Sequence, residues 1–548
     1  MLSPAERSLT AAFRRLHLCS TQSRTARVLV YLLLFAGLLI CRPASAQVGV
    51  YTWRNDIGRT GQNTSETTLN PGNVNATSFG KLFSIPVDGY IYAQPLYVPQ
   101  VAIPGRGTHN VLIVATEHDS VYALDADTNG GDNATPLWQA SLLDAAHGAA
   151  QGAAPESSSD VGSVDIEPEI GVTSTPVINP QSATIYVVGK TVENGIVVQR
   201  LHALDLATGN EKFGGPTTIK ASVAGTGNGS ANGILNFDPR WALNRASLLL
   251  LNGIVYIGFG SHGDNGPWHG WILSYNASTL QQTGIFCSTP NGTGSGFWMA
   301  GAGLAADVID PAHKPFGRLF VATGNGSFNA APPYNSTQSF GDDHIAFDLT
   351  GGALTVTDSF TPYNQQALSD GDADVASGGI LLLPDQTVGG HQHMMVQSGK
   401  AGTIYLIDRD NMGGFNTSLD NIVQEISGQT AGLWSTPAYW NNNIYLNGSG
   451  DRLKSFSLQG GLLSSVPTAQ SAESAAYPGA SPAISSDGTT NGIVWTIDSS
   501  AYVSRGPALL LAHDANDVSK TLYTSKQNST RDQAGAAVKY AVPTIATG

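Results

Sequence analysis

The stretch TIYLIDRDNMGG, residues 403–414, sets the pattern of the whole chain. An apolar run containing β-branched residues ends in an Asp and then a Gly pair, which is how a strand running into a tight turn is written. The phrase recurs as VYALDADTNGG (121–131), LHALDLATGN (201–210), HIAFDLTGG (344–352) and ALLLAHDANDV (508–518), with WILSYNASTL (271–280) and LKSFSLQGG (453–461) as worn copies. The anchors Asp125, Asp205, Asn276, Asp348, Asp408, Ser457 and Asp514 lie 49 to 80 residues apart, slightly longer than the usual period of a propeller blade. One repeat makes one blade.

Working outward from the anchor, each repeat opens with a short strand, often containing Pro: 94–99, 174–179, 246–251, 303–310, 378–385, 435–440, 481–486 and 542–548. Proline is tolerated on a strand with one unpaired side, and the innermost strand of a blade, lining the channel, is such an edge. A second strand follows, the anchor strand comes third and a weaker outer strand fourth. The expectation is an all-β, eight-bladed β-propeller of four-stranded blades. The eighth unit lacks its two middle strands, so it is either incomplete or degenerate, with GKLFSIPV (80–87) as an N-terminal strand closing the ring. Residues 47–89 are a polar surface lead-in plus that closing strand, and 90–548 form the ring.

Residues 1–46 have the form of an export signal. Arg14, Arg15, Arg24 and Arg27 precede the mostly apolar run 28–41, and Ala44-Ser45-Ala46 precedes a cut at Gln47. The run is short for a bilayer span. The expected location is therefore periplasmic or extracellular, with no transmembrane anchor in the mature chain. The first 46 residues hold six Arg and one Glu, so 21 positive and 40 negative side chains remain, a net charge of −19. Such a surface repels nucleic acid and anionic lipid. Losing the signal removes Cys19 and Cys41, leaving Cys287 without an intrachain partner, and no CxxCH haem-attachment motif is present.

The Ala-x-Asp-x-x-Thr-Gly form of LHALDLATG resembles the repeat of the pyrroloquinoline quinone (PQQ)-dependent alcohol dehydrogenases and the wider PQQ-like repeat propellers, over about 51–548. The resemblance implies PQQ and Ca²⁺ as cofactors and a small alcohol or sugar as substrate. GRLFVATGNGSFN (317–329) is similar to the family's strand and Gly-Asn pair, which makes Asn325 a calcium ligand; a plain Gly-Asn-Gly turn reads the same residues without a ligand. GSGFWMAGAG (294–303) implies Trp298 under the quinone plane, or a Trp packed between blades. In GKAGTIYLIDR (399–409), Lys400 takes the place of a cation that polarises the quinone carbonyl, unless it is a solvated loop residue.

ENGIVVQRLHALD (193–205) implies Glu193 as a second metal ligand, although Val197 stands where the family has Arg. TPYNQQALSDGDADVASGG (361–379) sits where the family places its catalytic base, which Asp372 or Asp374 matches; a solvated acidic turn is the other reading. Three carboxylates on PQQ call for local cations, and Arg245, Lys190 and Lys400 are the candidates. The adjacent-cysteine disulfide of the dehydrogenases is missing. SHGDNGPWHGW (261–271) is the densest polar-aromatic cluster and reads as a structured loop on one face, while HQHMM (391–395) reads as hairpin residues. The second functional reading is a non-catalytic propeller binding a protein or polysaccharide at the cell envelope.

Overall fold

The computed structural model describes residues 48–308 and 316–546; the expected signal segment lies outside the described residues. The repeat becomes a meander of antiparallel strands. In the first blade, Leu96–Ile103, Gly107–Ala115, Ser120–Asp125 and Trp138–Ser141 pair in chain order. Six further blade sheets follow among the described residues, with inner strands Val177–Asn179, Leu249–Leu251, Ala305–Asp307, Leu381–Leu382, Ala438–Trp440 and Ala483–Asp487, beside a separate two-stranded sheet of Ser222–Ala224 and Ile234–Asn236. The propeller therefore has seven blades.

The expected eighth blade is not formed. Neither 80–87 nor the described part of 542–548 is a strand, because no middle pair stands between them to bond with. Each is tied to the flanking blades instead. Thr544 donates to the Pro95 carbonyl (2.6 Å) and Asn63 to that of Ile545 (3.2 Å), while the Lys81 amide reaches Asp532 (3.0 Å) and Asn129 reaches the Ser84 carbonyl (3.1 Å). An N-terminal strand does join the last blade, but it is Gln62–Asn63, parallel to Ile484 and Ser485.

The anchor residues owe their recurrence to one local bond. Asp125, Asp205, Asn276, Asp348, Asp408 and Asp514 each accept, through Oδ1, the amide two residues on, at 2.8 to 3.1 Å. This closes the turn into the fourth strand. The residue after the anchor then offers its carbonyl to the preceding blade: Trp138 donates to Leu206 (3.0 Å), Tyr186 to Ala277 (2.8 Å) and Tyr445 to Ala515 (2.7 Å). Between blades the apolar strand faces meet, as where Phe286, Phe320, Phe340 and Phe347 pack into the largest cluster.

Residues 50–65, expected on the surface, are threaded along the inner strands. Their backbone bonds to Tyr97, Ile178, Ala306, Leu382, Tyr439 and Ile484, in blades one, two, four, five, six and seven. Blade three is reached by Arg59, whose guanidinium contacts the Leu248 carbonyl (3.5 Å), that of Leu304 (2.8 and 3.1 Å), that of Trp53 (3.0 Å) and the Thr52 hydroxyl (2.7 Å). Arg54 does the same for the carbonyls of Thr436 (2.7 Å) and Pro437 (2.8 Å). Both side chains are fully buried, and burial pushes both guanidinium groups below the ordinary arginine value, with Asp56 opposing. Gly303 is glycine because a Cβ there would stand 2.3 Å from the Arg59 guanidinium carbon.

Replacing Arg59 leaves these carbonyls dry, at about 1–3 kcal/mol for each one left unpaired. Arg59→Met is expected to lose about 3 kcal/mol or more, read as a lower urea midpoint, with Arg59→Lys recovering little because an ammonium lacks the planar fork. An unchanged midpoint would show the thread to be dispensable.

Candidate functional site

In a meander the connection from second to third strand and the approach to the next inner strand open on the same face. A cavity of about 530 Å³ lies there. Gly263, Asp264 and Lys400 reach it after the second strands Ile254–Ser261 and Met394–Ser398. Asp165, Trp298, 371–374, Trp434 and Tyr477 reach it on the way into the inner strands of blades two, four, five, six and seven, and Tyr540 before the last extended segment.

The polar side of the cavity is a bonded group. Lys400 Nζ lies 2.6 Å from Asp372 Oδ1 and 2.5 Å from Asp374 Oδ2. The Asn325 amide N–H donates to Asp374 Oδ1 (2.7 Å), and Asn325 Nδ2 donates to Asp372 Oδ1 (2.8 Å). The Asn325 Oδ1 atom is buried without a hydrogen-bond donor. Gly324 lets Asp374 come this close, since a Cβ there would meet Asp374 Oδ1 at 2.6 Å. Desolvation works against the Lys400 charge, but Asp374 and then Asp372 outweigh it and raise its pKa. The two carboxylates differ in access: the Asp372 side chain is 69% exposed and that of Asp374 19%.

The other side is aromatic. Trp298 donates its indole N–H to the Ser261 carbonyl (3.0 Å), and its ring lies 6.5 Å from that of Tyr540. The Tyr540 and Tyr477 hydroxyls share a hydrogen bond (2.8 Å), and Tyr477 meets Trp434 edge to face at 5.2 Å. Asp264 accepts from the Ser261 hydroxyl (2.8 Å); desolvation raises its pKa and the charge of Asp374 adds to the rise.

Five of the residues singled out in the sequence thus come together: Trp298, Asn325, Asp372, Asp374 and Lys400. Three do not. Glu193 is held by both guanidinium nitrogens of Arg200 and by the Ala150 amide; the Arg200 hydrogen bonds pull its carboxyl down to about 2. It is a satisfied hairpin ion pair and not a neighbour of Asn325. Lys190 points away from the cavity, with Nζ 2.7 Å from Glu156, 2.7 Å from His262 Nε2 and 2.8 Å from the Arg240 carbonyl. Arg245 is buried behind the wall, 5.0 Å from the Tyr540 ring and 6.0 Å from that of Tyr92. His269 binds Thr289 and the Asn228 carbonyl, and His391 and His393 pair with Asp408 and Asp410. Among the described residues no group of three His, Cys, Asp or Glu is arranged to hold a metal. Cys287 is buried, which pushes its thiol up to about 12.

No protein-family model matches the sequence, and no curated protein matches it. Solved structures do. The quinohemoprotein alcohol dehydrogenase of Comamonas testosteroni superposes with a TM-score of 0.56 at 14% identity, over 92% of this chain and 77% of that one. The quinohemoprotein alcohol dehydrogenase ADHIIG of Pseudomonas putida HK5 gives 0.54 at 13%, over 91% and 75%. A europium-containing methanol dehydrogenase gives 0.51 at 13%, over 92% and 88%. The chain has the propeller fold of these dehydrogenases. No helix among the described residues is long and apolar enough to cross a membrane.

The sequence reading missed Asp165, Trp434, Tyr477 and Tyr540. One signal could have found Trp434: it stands directly before the Ser-Thr-Pro that opens the sixth inner strand, where every repeat enters this face. Tyr477 and Tyr540 follow no such phrase.

Behind the aromatic wall lies a dry acid. Glu117 Oε2 accepts from the Gly171 amide (2.8 Å) and the Thr173 hydroxyl (2.9 Å), while Oε1 is buried without a partner. Burial pushes its carboxyl from 4.5 up to about 7, against those two bonds and Arg245. With the folded value above the unfolded one, its contribution is whole below pH 4.5 and is lost as pH rises to about 7, a fall of up to about 3 kcal/mol. Glu117→Gln is therefore expected to melt like the parent near pH 4.5 and higher than the parent at pH 8. Melting curves displaced equally at both pH values would contradict this.

Proposed function

We propose that the cavity is the active site of an exported oxidoreductase that uses PQQ and a calcium-like cation to oxidise an alcohol or sugar. The observation that carries this is that Trp298, Asp372, Asp374 and Lys400 line one cavity, with Asn325 bonded to both carboxylates. The donors suit a hard cation: an unpartnered Asn325 Oδ1 beside two carboxylates is an all-oxygen set. Trp298 would supply an aromatic surface for a flat ring system, and Lys400 would be the cation to hold it. When bound, PQQ supplies a two-electron acceptor that takes hydride from the alcohol carbon.

The chain's own part is to bind, orient and move a proton. Asp374 is the better placed base, since it is shielded and both oxygens are held by fixed donors, Asn325 N–H and Lys400. It takes the substrate hydroxyl proton, leaving the alkoxide's electrons free to expel hydride. Lys400 would be the cation that holds the bound quinone and favours its negatively charged form. The signal-like segment 1–46 supports export. A second reading, a non-catalytic propeller that binds an envelope protein or polysaccharide, is favoured by Glu193, Lys190 and Arg245 being engaged elsewhere.

The test is a titration of the mature chain with PQQ, with and without Ca²⁺, followed by tryptophan quenching. Saturable, calcium-dependent quenching that is lost in Asn325→Ala is expected; no binding by folded protein would leave the second reading. In dye-linked alcohol oxidation, Asp374→Asn should lower kcat about 10²- to 10⁴-fold while PQQ still binds. A loss confined to Asp372→Asn would move the base to Asp372.

A further inference from the structure

The charge of the cavity selects its ligand. Asp165, Asp264, Asp372 and Asp374 line it against a single lysine, and that lysine is already bonded to two of them. The remaining pair, Asp165 and Asp264, has no ion-pair partner among the described residues; Asp165 accepts only from the Ser163 hydroxyl (3.0 Å). Nearby cations act on the pair only through space: Asp165 and Lys539 attract one another and Lys400 draws on Asp264, without a direct ion pair in either case. Lys539 Nζ donates to the Val164 carbonyl (2.8 Å) and lies over the Tyr502 ring at 5.0 Å, and Arg245 is behind Tyr540. Trp298, Tyr540, Tyr477 and Trp434 form a linked run of rings in the same cavity. Aromatic rings with carboxylates close by are the combination that holds an alkylammonium group, through the ring quadrupole and Coulomb attraction. A tricarboxylate with a divalent cation would bring a further net negative charge, so the preference is the same with the cofactor bound.

We propose that the cavity takes a cationic alcohol, a small hydroxyalkyl-ammonium compound, with its ammonium among Trp434, Tyr477 and Asp165 and its hydroxyl toward Asp374. The hydroxyl's fate rests on the oxidoreductase reading above; the recognition of the charge does not. The negative surface, −19 after residue 46, draws such a ligand in.

The experiment compares choline with its neutral isostere 3,3-dimethylbutan-1-ol, and with tetramethylammonium, by calorimetric titration of the mature chain, with and without PQQ and Ca²⁺. Choline should bind about 5- to 30-fold more tightly than the isostere, the range set by a desolvated cation–π contact, and should weaken as salt rises. Trp434→Leu and Asp165→Asn should each remove most of that difference, and Trp434→Phe, which keeps a ring, should retain it. Equal affinity for choline and the isostere, or no choline binding by protein with a parental melting temperature, would overturn the proposal. Choline binding without dye reduction by the loaded protein would sustain it and sink the oxidoreductase reading. Dye reduction with choline and the isostere at equal kcat/KM would do the reverse.

Discussion

The seven blades are held by a constraint that belongs to none of them: the inner edge of each sheet carries backbone groups that must find partners. Residues 50–65 meet it. Their carbonyls accept from Ile178, Ala306, Leu382, Tyr439 and Ile484, and Arg54 and Arg59 serve the inner-strand carbonyls that remain. A β-sheet edge is otherwise a template for unwanted pairing. Here six edges bond to one strip of main chain and that of the third blade is met by the Arg59 side chain. The strip has to turn sharply to do so, and Arg54, Asn55 and Arg59 take φ of 56°, 75° and 64°. Non-glycine residues hold that backbone only where the surroundings fix it.

This explains which parts of the fold were legible in the sequence. The anchor phrase shows through because its Asp or Asn makes a local bond, to the amide two residues on, in six of the seven copies, and a local bond leaves similar residues at the same place in the phrase. Inner strands are legible for a similar reason, and seven of those expected form. The eighth, 542–548, looks like the others because apolar residues after Pro look alike whether or not a middle strand stands beside them; only the three-dimensional neighbour decides. The thread was illegible for the opposite reason. Arg54 and Arg59 in a polar, glycine-containing stretch read as solvent-facing, and nothing in a sequence marks an arginine whose solvent is a ring of main-chain carbonyls.

The site divides along the same line. Asn325 with Gly324, and Lys400 with Gly399, sit inside repeated phrases, so a resemblance to other propellers could single them out, and the structure brings them to Asp372 and Asp374. Glu193 was singled out from a weaker phrase, and its hairpin partner Arg200, seven residues on, takes the carboxylate that a metal would need. Trp434, Tyr477 and Tyr540 are single residues on separate approaches, and their grouping is a product of ring closure. Blades six and seven and the final segment must all converge before Tyr477 can meet Trp434 on one side and the Tyr540 hydroxyl on the other.

The arrangement of charge follows from where the thread runs. With the inner strands occupied by residues 50–65, the cations that might have faced the channel, Arg54 and Arg59, are spent on backbone carbonyls. Arg245 and Lys190 are likewise enclosed, one behind Tyr540 and the other between Glu156 and His262. Burying a cation costs less when carbonyls or carboxylates surround it than when it stands alone, so each of these is fixed in the scaffold. What is left to line the open cavity is acidic and aromatic, with Lys400 as its one cation among the lining residues. Arg54, Arg59, Arg245 and Lys190 are thus enclosed in the scaffold, and the mouth of the cavity presents negative charge. A ligand entering there loses water most cheaply if it carries positive charge and an apolar body, because the rings of Trp434 and Tyr477 and the carboxylate of Asp165 replace its hydration shell with groups already in place.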